Sequence, residues 1–500
     1  MMQEKKLSDE QLAIIHCTGN ARINAVAGSG KTSTLIAFAA EQEKRKKILY
    51  LAFNRTAKED AAIRFAAEGL HQVQTETLHS LAFRSLNVGA KWEVCNKGYH
   101  VDEVARMISF RGKRSTAEEK YFLAYHVLQC LQHFCQHNSA SPNGAEYACS
   151  IADGHVQRLV EPHMNWIEKQ VAYLYSSMQN GKIPITHEFY LKQFQLQKKP
   201  LHAHLILLDE AQDASPVMLD MIQQQKCTCL LVGDTHQQIY SWRYAVNALE
   251  QVDFPLFHLS RSYRLPPNIA KLAANTLALK KPVSIIGCGN SQQQKTHVVL
   301  GRTNQALLLY ALEWVLHHPK EKLFMEGPLQ SYLQSEDGIS LYDVWNVLYG
   351  KKQYIRHPIL QQLHSEDQLN AFIHTTGAVQ LQMMVQVAKH YRRDLPFVLK
   401  QLQKASVTSQ EKYKASISLS TVHRAKGMEF DIVELLSDFM TPEKWIQAWQ
   451  NRKSIQDTIK LEEELNLLYV AITRTKNQLI IPDSLVASSD IRYKEQLNLV

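Results

Sequence analysis

Residues 25–32 read Ala-Val-Ala-Gly-Ser-Gly-Lys-Thr, and they stand between a short apolar stretch and a segment of helical composition. Glycines in such a loop let backbone N–H groups close around phosphate oxygens, and the N-terminus of the following helix adds partial positive charge. Lys31 is predicted to reach the β- and γ-phosphates of a nucleotide, and Thr32 to hold Mg²⁺. Ala25 replaces the first glycine of the usual pattern, so a Gly-rich turn without a ligand is the alternative.

A second element of the same kind follows at residues 205–213, which read Leu-Ile-Leu-Leu-Asp-Glu-Ala-Gln-Asp. Four consecutive apolar residues predict a strand that is buried on both faces, as in a parallel sheet. Asp209 and Glu210 then lie at the carboxyl end of that strand, where open α/β sheets bind their ligands. Asp209 is predicted to order the Mg²⁺ shell, and Glu210 to polarise a water for attack on the γ-phosphate. A solvated acidic turn is the alternative, and the phosphate loop upstream argues against it.

Length, charge and cysteine content limit the class of protein. A chain of 500 residues is too long for one core and predicts about two to four domains. The net charge of +8 permits a polyanionic partner such as nucleic acid. No apolar run approaches a membrane span, and the first residues lack the apolar segment of a secretory signal. The eight cysteines show no disulfide framework, so we expect reduced thiols in the cytoplasm or, in a eukaryote, the nucleus.

The order of apolar and polar segments predicts an α/β fold. Strand, loop and helix alternate in a pattern typical of parallel sheets covered by helices, at residues 23–40, 48–65, 73–83, 205–222 and 229–245. The sequence between 83 and 205 is largely helical and polar, which indicates an insertion into the first sheet domain. Further strands are predicted at 298–301, 417–420, 432–436 and 478–482, with a helix at 461–473.

Short motifs follow one another along nearly the whole chain, at residues 7–11, 51–57, 75–80, 232–243, 259–264, 420–430 and 468–476. Together with the two elements above, this ordered series resembles the motifs of the UvrD/Rep-type superfamily 1 DNA helicases. The resemblance implies two RecA-like parallel-sheet domains with inserted, mainly helical subdomains. It also implies that ATP and Mg²⁺ bind in the cleft between the sheet domains.

The resemblance assigns roles around the nucleotide. Gln11 is expected to read the adenine edge and Tyr263 to stack on the adenine, while Glu429 binds the ribose. Arg474 is expected to act as an arginine finger. The implied catalytic residues are Lys31, Thr32, Asp209, Glu210, Gln237, Arg264 and Arg474. The implied nucleotide-binding residues are Gln11, Ala27, Gly28, Ser29, Gly30, Lys31, Thr32, Ser33, Tyr263, Arg264, Gly427, Glu429 and Arg474.

The resemblance also implies contacts to single-stranded DNA from both sheet domains. Tyr240 and Trp242 are expected to stack on bases, because a loop after a strand carries them. For each aromatic residue by itself, packing in the core is the alternative. The implied DNA-binding residues are Phe53, Asn54, Thr77, His79, Tyr240, Trp242, Arg243, Arg302, Asn304, Thr421 and His423.

Within this family, residues 186–192, 236–240, 245–249 and 302–304 resemble the F-box DNA helicase branch. The chain starts almost at the adenine motif, so we expect no F-box and no ubiquitin-ligase role. It also departs from the family pattern. Ser33 stands where many relatives carry an arginine beside the adenine, and Phe53 is the aromatic of the first DNA segment. The region between Arg302 and Thr421 is short, which indicates a reduced fourth domain.

The expected domain boundaries follow from these motifs. Residues 1–84 and 190–264 form the ATP-binding RecA-like domain 1A, with residues 85–189 as the helical insertion 1B. Residues 265–325 and 410–500 form the RecA-like domain 2A, with residues 326–409 as a reduced insertion of 2B type.

We therefore expect an ATP-dependent DNA helicase that moves 3′ to 5′ on single-stranded DNA in repair or recombination. The expected partners are single-stranded and tailed duplex DNA and a recombinase or nuclease protein, and no membrane. The isolated chain is expected to be monomeric. Two alternatives stay open: a motor subunit of a helicase–nuclease or phage-defence complex, and a nucleotide-gated DNA-binding switch without motor action.

Overall fold

A computed structural model of the chain describes residues 7–110, 116–151, 153–241, 244–289, 296–335, 338–363, 365–376 and 378–486. Two of the expected DNA-binding residues, Trp242 and Arg243, lie outside these ranges.

The first half of the chain builds a parallel sheet. Its strands are β1 Ala21–Ala25, β2 Ile48–Leu51, β3 Val73–Glu76, β4 Leu205–Leu208, β5 Thr228–Gly233 and β6 Leu256–Leu259. They run in the order β3-β2-β4-β5-β1-β6, and every neighbouring pair is parallel. All four residues of β4 are buried between β2 and β5, which confirms the buried strand predicted from its apolar run. We call this sheet and its covering helices lobe 1.

The second half builds another parallel sheet, which with its helices forms lobe 2. A short strand pair, β7 Arg261–Ser262 and β8 Ile286–Gly287, lies between the two sheets in sequence. The strands of lobe 2 are β9 His297–Gly301, β10 Leu323–Met325, β11 Ile417–Thr421, β12 Phe430–Leu435 and β13 Thr475–Ile480. They run in the order β10-β11-β9-β12-β13 and are parallel throughout. The two sheets confirm the predicted α/β class.

Helices cover both sheets and form the insertions. In chain order, α1 to α13 are Asp9–Ile15, Lys31–Ala40, Arg55–Ala67, Leu78–Ser85, Val88–Lys91, Val101–Met107, Ala117–Gln136, Gly144–Ser150, Gly154–Val160, Met164–Gln179, His187–Leu196, Pro216–Gln223 and Ala248–Gln251. The helices α14 to α23 are Pro267–Ala278, Asn304–His317, Gln330–Leu333, Leu341–Leu348, Glu366–Thr376, Val379–Tyr391, Leu395–Ala405, Val422–Ala425, Pro442–Gln450 and Ile455–Ile472. Short 3-10 turns lie at Glu161–His163, Ala211–Asp213, Thr235–Gln237, Lys352–Tyr354, Leu360–Gln362, Arg392–Asp394, Ser409–Lys414 and Asp483–Leu485.

Two helical insertions pack on each other. The first, α5 to α10, interrupts lobe 1 between β3 and β4, and the second, α16 to α20, interrupts lobe 2 between β10 and β11. The ring centroids of Tyr121 on α7 and Phe372 on α18 are 5.5 Å apart, and both residues belong to one buried apolar cluster. The helical character predicted for residues 83–205 is thus confirmed, whereas the domain boundaries stay predictions.

The helix of the pattern predicted for residues 229–245 is not found in the described part of that range, residues 229–241 and 244–245. After β5 the chain forms the 3-10 turn Thr235–Gln237, and the next helix, α13, has only four residues. Asp234 is the N-cap of this turn, and its carboxylate accepts a hydrogen bond of 3.0 Å from the N–H of His236.

Candidate functional site

The phosphate loop connects β1 to the N-terminus of α2. Gly28 and Gly30 both have positive φ angles, +73° and +81°, which favour glycine. A Cβ atom on Gly28 would lie 2.5 Å from Cβ of Arg264 and 2.8 Å from Oγ of Ser262. The segment after β6 therefore approaches the loop so closely that glycine is required. The helix α2 then begins at Lys31, which leaves its first backbone N–H groups directed at the loop.

The two carboxylates at the end of β4 have different surroundings. Lys31 Nζ lies 3.2 Å from Glu210 Oε1, and Gln212 Nε2 donates to Glu210 Oε2 over 2.6 Å. Asp209 is 8% exposed and accepts hydrogen bonds from the Tyr50 hydroxyl and from the N–H of Glu210, the latter over 2.9 Å. The structure thus places both acids directly after a buried strand and brings Glu210 next to Lys31.

Charge and burial set the protonation of this pair. Burial opposes ionisation of Glu210, but Lys31 and Lys426 outweigh it and lower the pKa of Glu210 to about 2. Burial and the Glu210 charge raise the pKa of Asp209 above its usual range. Glu210 also has a φ of +52°, a conformation that non-glycine residues rarely adopt. Strain of this kind is found where a structure holds a side chain in a functional orientation.

Residues from both lobes line one cleft of about 600 Å³. The expected nucleotide-binding and catalytic residues among them are Gly28, Ser29, Gly30, Lys31, Thr32, Ser33, Glu210, Gln237, Tyr263, Arg264, Gly427, Glu429 and Arg474. Lys31 from lobe 1 and Arg474 from lobe 2 therefore face the same space. Arg64, Cys288, Asp431, Lys476 and Asn477 also line the cleft, and the sequence analysis assigned no role to them.

Lobe 2 supplies a buried arginine to this cleft, and the segment before it supplies a partly exposed one. Arg474 is only 1% exposed; its Nε donates to the carbonyl of Val470 over 3.0 Å, and its Nη2 lies 3.5 Å from Oε1 of Gln237. Burial and the neighbouring Arg264 guanidinium lower the pKa of Arg474 to about 10, so it stays cationic at neutral pH. Arg264 pairs with Glu429 across the cleft.

Two expected nucleotide-binding residues lie beside the cleft rather than on its wall. Gln11 is 5% exposed, and its amide donates to Thr34 Oγ1 over 3.0 Å while accepting from the N–H of Ser8 over 3.0 Å. The amide oxygen is thus engaged by the N-cap of α1, and the amide nitrogen by Thr34 of α2. Ala27 is 1% exposed, and its N–H donates to the Tyr469 hydroxyl. Their direct contact with a nucleotide stays a prediction.

An ion pair between the lobes was missed by the sequence analysis. Lys426, which follows α21 in lobe 2, pairs with Asp213 of lobe 1, and the two side chains are 8% and 1% exposed. Lys426 Nζ also donates to the carbonyl of Gln237 over 2.6 Å and lies 4.7 Å from the ring centroid of Tyr240. The signal was present, since both residues stand inside quoted motifs without an assigned role.

The expected DNA-binding residues gather at the carboxyl ends of strands in both sheets. Phe53 and Asn54 follow β2, Thr77 and His79 follow β3, Arg302 and Asn304 follow β9, and Thr421 and His423 end or follow β11. Asn54, Thr77 and Thr421 are N-caps, whose side chains accept backbone N–H groups of the helices that begin there.

Aromatic residues join the lobes at this face. The rings of Phe53 and Tyr240 are stacked, with centroids 5.9 Å apart and an interplanar angle of 9°. The Tyr240 hydroxyl donates to the carbonyl of His423 in lobe 2 over 3.0 Å. The structure thus brings together three of the expected DNA-binding residues, which lie far apart in the sequence.

Other members of the expected DNA set lie apart from this cluster. His79 packs edge-on against Tyr190, with ring centroids 6.0 Å apart. Arg302 is held by a two-pronged ion pair with Glu464, in which Nη2 lies 2.7 Å from the carboxylate. Their contact with DNA stays a prediction.

Comparison with known proteins matches both halves of the chain. The family model of the UvrD/REP helicase N-terminal domain matches residues 7–251, and that of the UvrD-like helicase C-terminal domain matches residues 353–484. F-box DNA helicase 1 of Gallus gallus is 28% identical over 516 aligned positions, covering 97% of this chain and 50% of the relative. F-box DNA helicase protein 1 of Schizosaccharomyces pombe is 27% identical, with coverage of 96% and 58%. The chain thus spans about half the length of these relatives.

A third relative matches a smaller part of the chain. A probable DNA helicase of Mycoplasma pneumoniae is 26% identical over 305 positions, covering 58% of this chain and 45% of the relative.

Across the ranges that the structure describes, no helix has the length and apolar character needed to cross a membrane.

Replacement of Lys426 by Met tests the ion pair between the lobes. Burial raises the pKa of Asp213 to about 6, although Lys426 opposes the shift. Without the lysine, the buried carboxylate is unpaired, a change that costs about 3–5 kcal/mol. We expect K426M to lower the Tm at pH 8 by at least about 5 °C. The Tm difference from wild type should shrink as the pH falls to about 5. The pKa of Asp213 is higher in the folded than in the unfolded protein, so protonation of this carboxyl at low pH stabilises the fold.

The matched control is the double variant K426M/D213N, whose Tm should change less between pH 5 and 8 than that of K426M, because it lacks the carboxyl that titrates in this range. Thermal unfolding monitored by circular dichroism gives all three profiles. A K426M deficit that does not change with pH would show that Asp213 is not the group left unpaired.

Proposed function

The chain belongs to the UvrD-like DNA helicases of superfamily 1, and on that premise we propose that it is an ATP-driven motor that moves along single-stranded DNA and unwinds duplex DNA. The observation that carries the proposal is the single cleft to which Lys31 of lobe 1 and Arg474 of lobe 2 both contribute. A triphosphate bound there bridges the lobes, and its hydrolysis removes the bridge.

The cleft fits ATP with a divalent ion. The positive φ angles of Gly28 and Gly30 open the backbone N–H groups to phosphate oxygens, and a side chain at Gly28 would fill that cradle. Thr32 and Asp209 supply the hydroxyl and carboxylate oxygens that Mg²⁺ prefers, and we propose that they hold it. When bound, the ion would neutralise phosphate charge.

The residues of the chain then divide the work of hydrolysis. Glu210, kept ionised by Lys31, accepts the proton of the attacking water. Lys31, Arg264 and Arg474 stabilise the negative charge that develops on the transferred phosphoryl group. Tyr263, which is 48% exposed at the cleft, offers its ring to the adenine. We propose that Gln237 senses the γ-phosphate and Glu429 the ribose.

Movement on DNA requires that the grip on the strand changes with the nucleotide state. Phe53 and Tyr240 belong to lobe 1, whereas His423 belongs to lobe 2, and all three meet at one face. Stacking on aromatic rings tolerates any base, which suits a motor that moves along a strand regardless of sequence. The helix α3 begins two residues after Phe53, and the backbone N–H groups of its first turn suit a backbone phosphate.

Family resemblance further leads us to propose 3′-to-5′ movement and a role in repair or recombination. We propose the domain boundaries given by the motifs, with 1A and 2A corresponding to lobes 1 and 2. The eight cysteines are all unpaired, which supports a reducing compartment, the cytoplasm or nucleus.

A strand-displacement assay tests the proposed activity and its polarity. Duplexes with a 3′ tail should be unwound in the presence of ATP and Mg²⁺, and duplexes with a 5′ tail should not be. Preference for the 5′ tail would refute the polarity. Absence of unwinding together with DNA-independent ATP hydrolysis would favour the nucleotide-gated switch.

Variants of the acid and the lysine test the site. K31A and E210Q should each lower ATP turnover by at least about 100-fold, because K31A removes positive charge from the transferred phosphoryl group and E210Q removes the carboxylate that accepts the proton of the attacking water. E210Q should still bind ATP, since the amide keeps the shape of the carboxylate. Steady-state ATPase assays and nucleotide-binding fluorescence measure both. Half of the wild-type turnover in either variant would contradict the assignment.

Alanine variants of the aromatic cluster test the DNA face. F53A and Y240A should each weaken binding of single-stranded DNA by about 5- to 150-fold, the equivalent of roughly 1–3 kcal/mol per stacked base. Fluorescence anisotropy with a labelled oligonucleotide measures the affinity. The control is Y413A, since Tyr413 is 81% exposed on the short turn that precedes the amino end of β11. Equal affinities for Y240A and Y413A would show that Tyr240 only packs.

A further inference from the structure

One face of α23 holds the loop that follows β5. We call residues 234–241 the post-β5 loop. Glu463 accepts from the N–H of Ser241 over 3.2 Å, and Asn466 Nδ2 donates to the carbonyl of Gln238 over 2.8 Å. One turn further along, the Tyr469 hydroxyl donates to Asp234 over 2.9 Å. A helix of lobe 2 thus contacts the start, middle and end of a loop of lobe 1.

Tyr469 makes a second contact that the other two residues do not share. Its hydroxyl oxygen accepts the N–H of Ala27, in the phosphate loop, over 3.2 Å. The side chain is fully buried, and so is Asp234. A single hydroxyl therefore joins the phosphate loop to the post-β5 loop, although it belongs to the opposite lobe.

Asp234 connects Tyr469 to Gln237, a residue that lines the cleft. Its Oδ2 atom, which accepts from Tyr469, also accepts from Gln237 Nε2 over 2.8 Å. Gln237 lines the cleft beside Arg474. The orientation of the Gln237 amide therefore depends on a carboxylate that Tyr469 helps to fix. The post-β5 loop continues to Tyr240, which stacks on Phe53 at the DNA face.

We propose, on the basis of the function proposed above, that Tyr469 is a positioning residue that aligns Gln237 with the phosphate loop when the lobes are closed. Separation of the lobes withdraws the hydroxyl from Ala27 and Asp234 together. The Gln237 amide then loses its fixed orientation, and the post-β5 loop is released at its nucleotide end. The closed arrangement at the cleft is thereby linked to the position of Tyr240 at the DNA face.

The substitution Tyr469→Phe removes the hydroxyl and keeps the ring. Because Tyr469 is placed against protein groups and not against the nucleotide, we expect the KM for ATP to change by less than about threefold. The kcat in the presence of single-stranded DNA should fall by about tenfold or more. Turnover without DNA should fall less, so that the factor by which DNA stimulates hydrolysis is reduced.

The matched control is Tyr147→Phe. Tyr147 is also buried, at 3% exposure, and its hydroxyl bonds to His126 within the first insertion. This variant should keep the wild-type kcat, KM and DNA stimulation. A purely structural effect of losing a buried hydroxyl would lower the Tm of both variants and leave the stimulation factor unchanged.

Hydrogen exchange followed by mass spectrometry gives a second readout. Peptides that cover residues 234–241 should exchange faster in Y469F than in wild type, while peptides of β4 should not change. Unaltered exchange in this loop, or a stimulation factor equal to that of wild type, would overturn the proposal. Wild-type protein whose ATP hydrolysis ignores DNA would instead refute the function on which the proposal rests, so the two failures can be told apart.

Discussion

Positive charge from two separately built sheets converges on one cleft, and this constraint organises the rest of the molecule. Lys31 arrives from β1 and α2, Arg474 from the end of α23, and Arg264 from the segment after β6. Arg264 lies close enough to Arg474 to lower the pKa of Arg474, together with burial of that side chain. The carboxylates of Glu210 and Glu429 balance part of this charge through Lys31 and Arg264. A polyanion that enters the cleft would satisfy the cations of both lobes at once.

The post-β5 loop explains how one cleft can affect a surface elsewhere. Gln237 in this loop lines the cleft, and Tyr240 near the end of the loop stacks on Phe53 at the proposed DNA face. The loop belongs to lobe 1, but side chains of lobe 2 hold it, including Lys426 through the carbonyl of Gln237. A change in the distance between the lobes therefore alters contacts at several positions of the loop. The post-β5 loop contains no α-helix, so it can change its conformation without breaking α-helical hydrogen bonds.

Sequence reasoning succeeded where local pattern determines structure. The apolar run of β4 and the glycines around Gly28 dictate a buried strand and a tight loop through interactions within a few residues. It could not find the contact of Tyr469 with Ala27, since 442 positions separate the two residues. The side chain of Gln11 shows the same limit, because its amide is engaged by Thr34 and the cap of α1. After β5 the chain forms a 3-10 turn and a loop that Glu463 and Asn466 hold, and both of these residues lie more than 200 positions away in sequence.

The packing of the two insertions restricts how the molecule can open. The lobes meet at the cleft, and their insertions meet again through Tyr121 and Phe372, with Asp102 and His357 3.6 Å apart nearby. Two bodies joined at two separate places are not free to slide past each other. While the apolar contact between the insertions persists, the cleft widens by rotation of the lobes about that contact. A small repacking of Tyr121 and Phe372 would then produce a larger displacement of the lobes at the cleft.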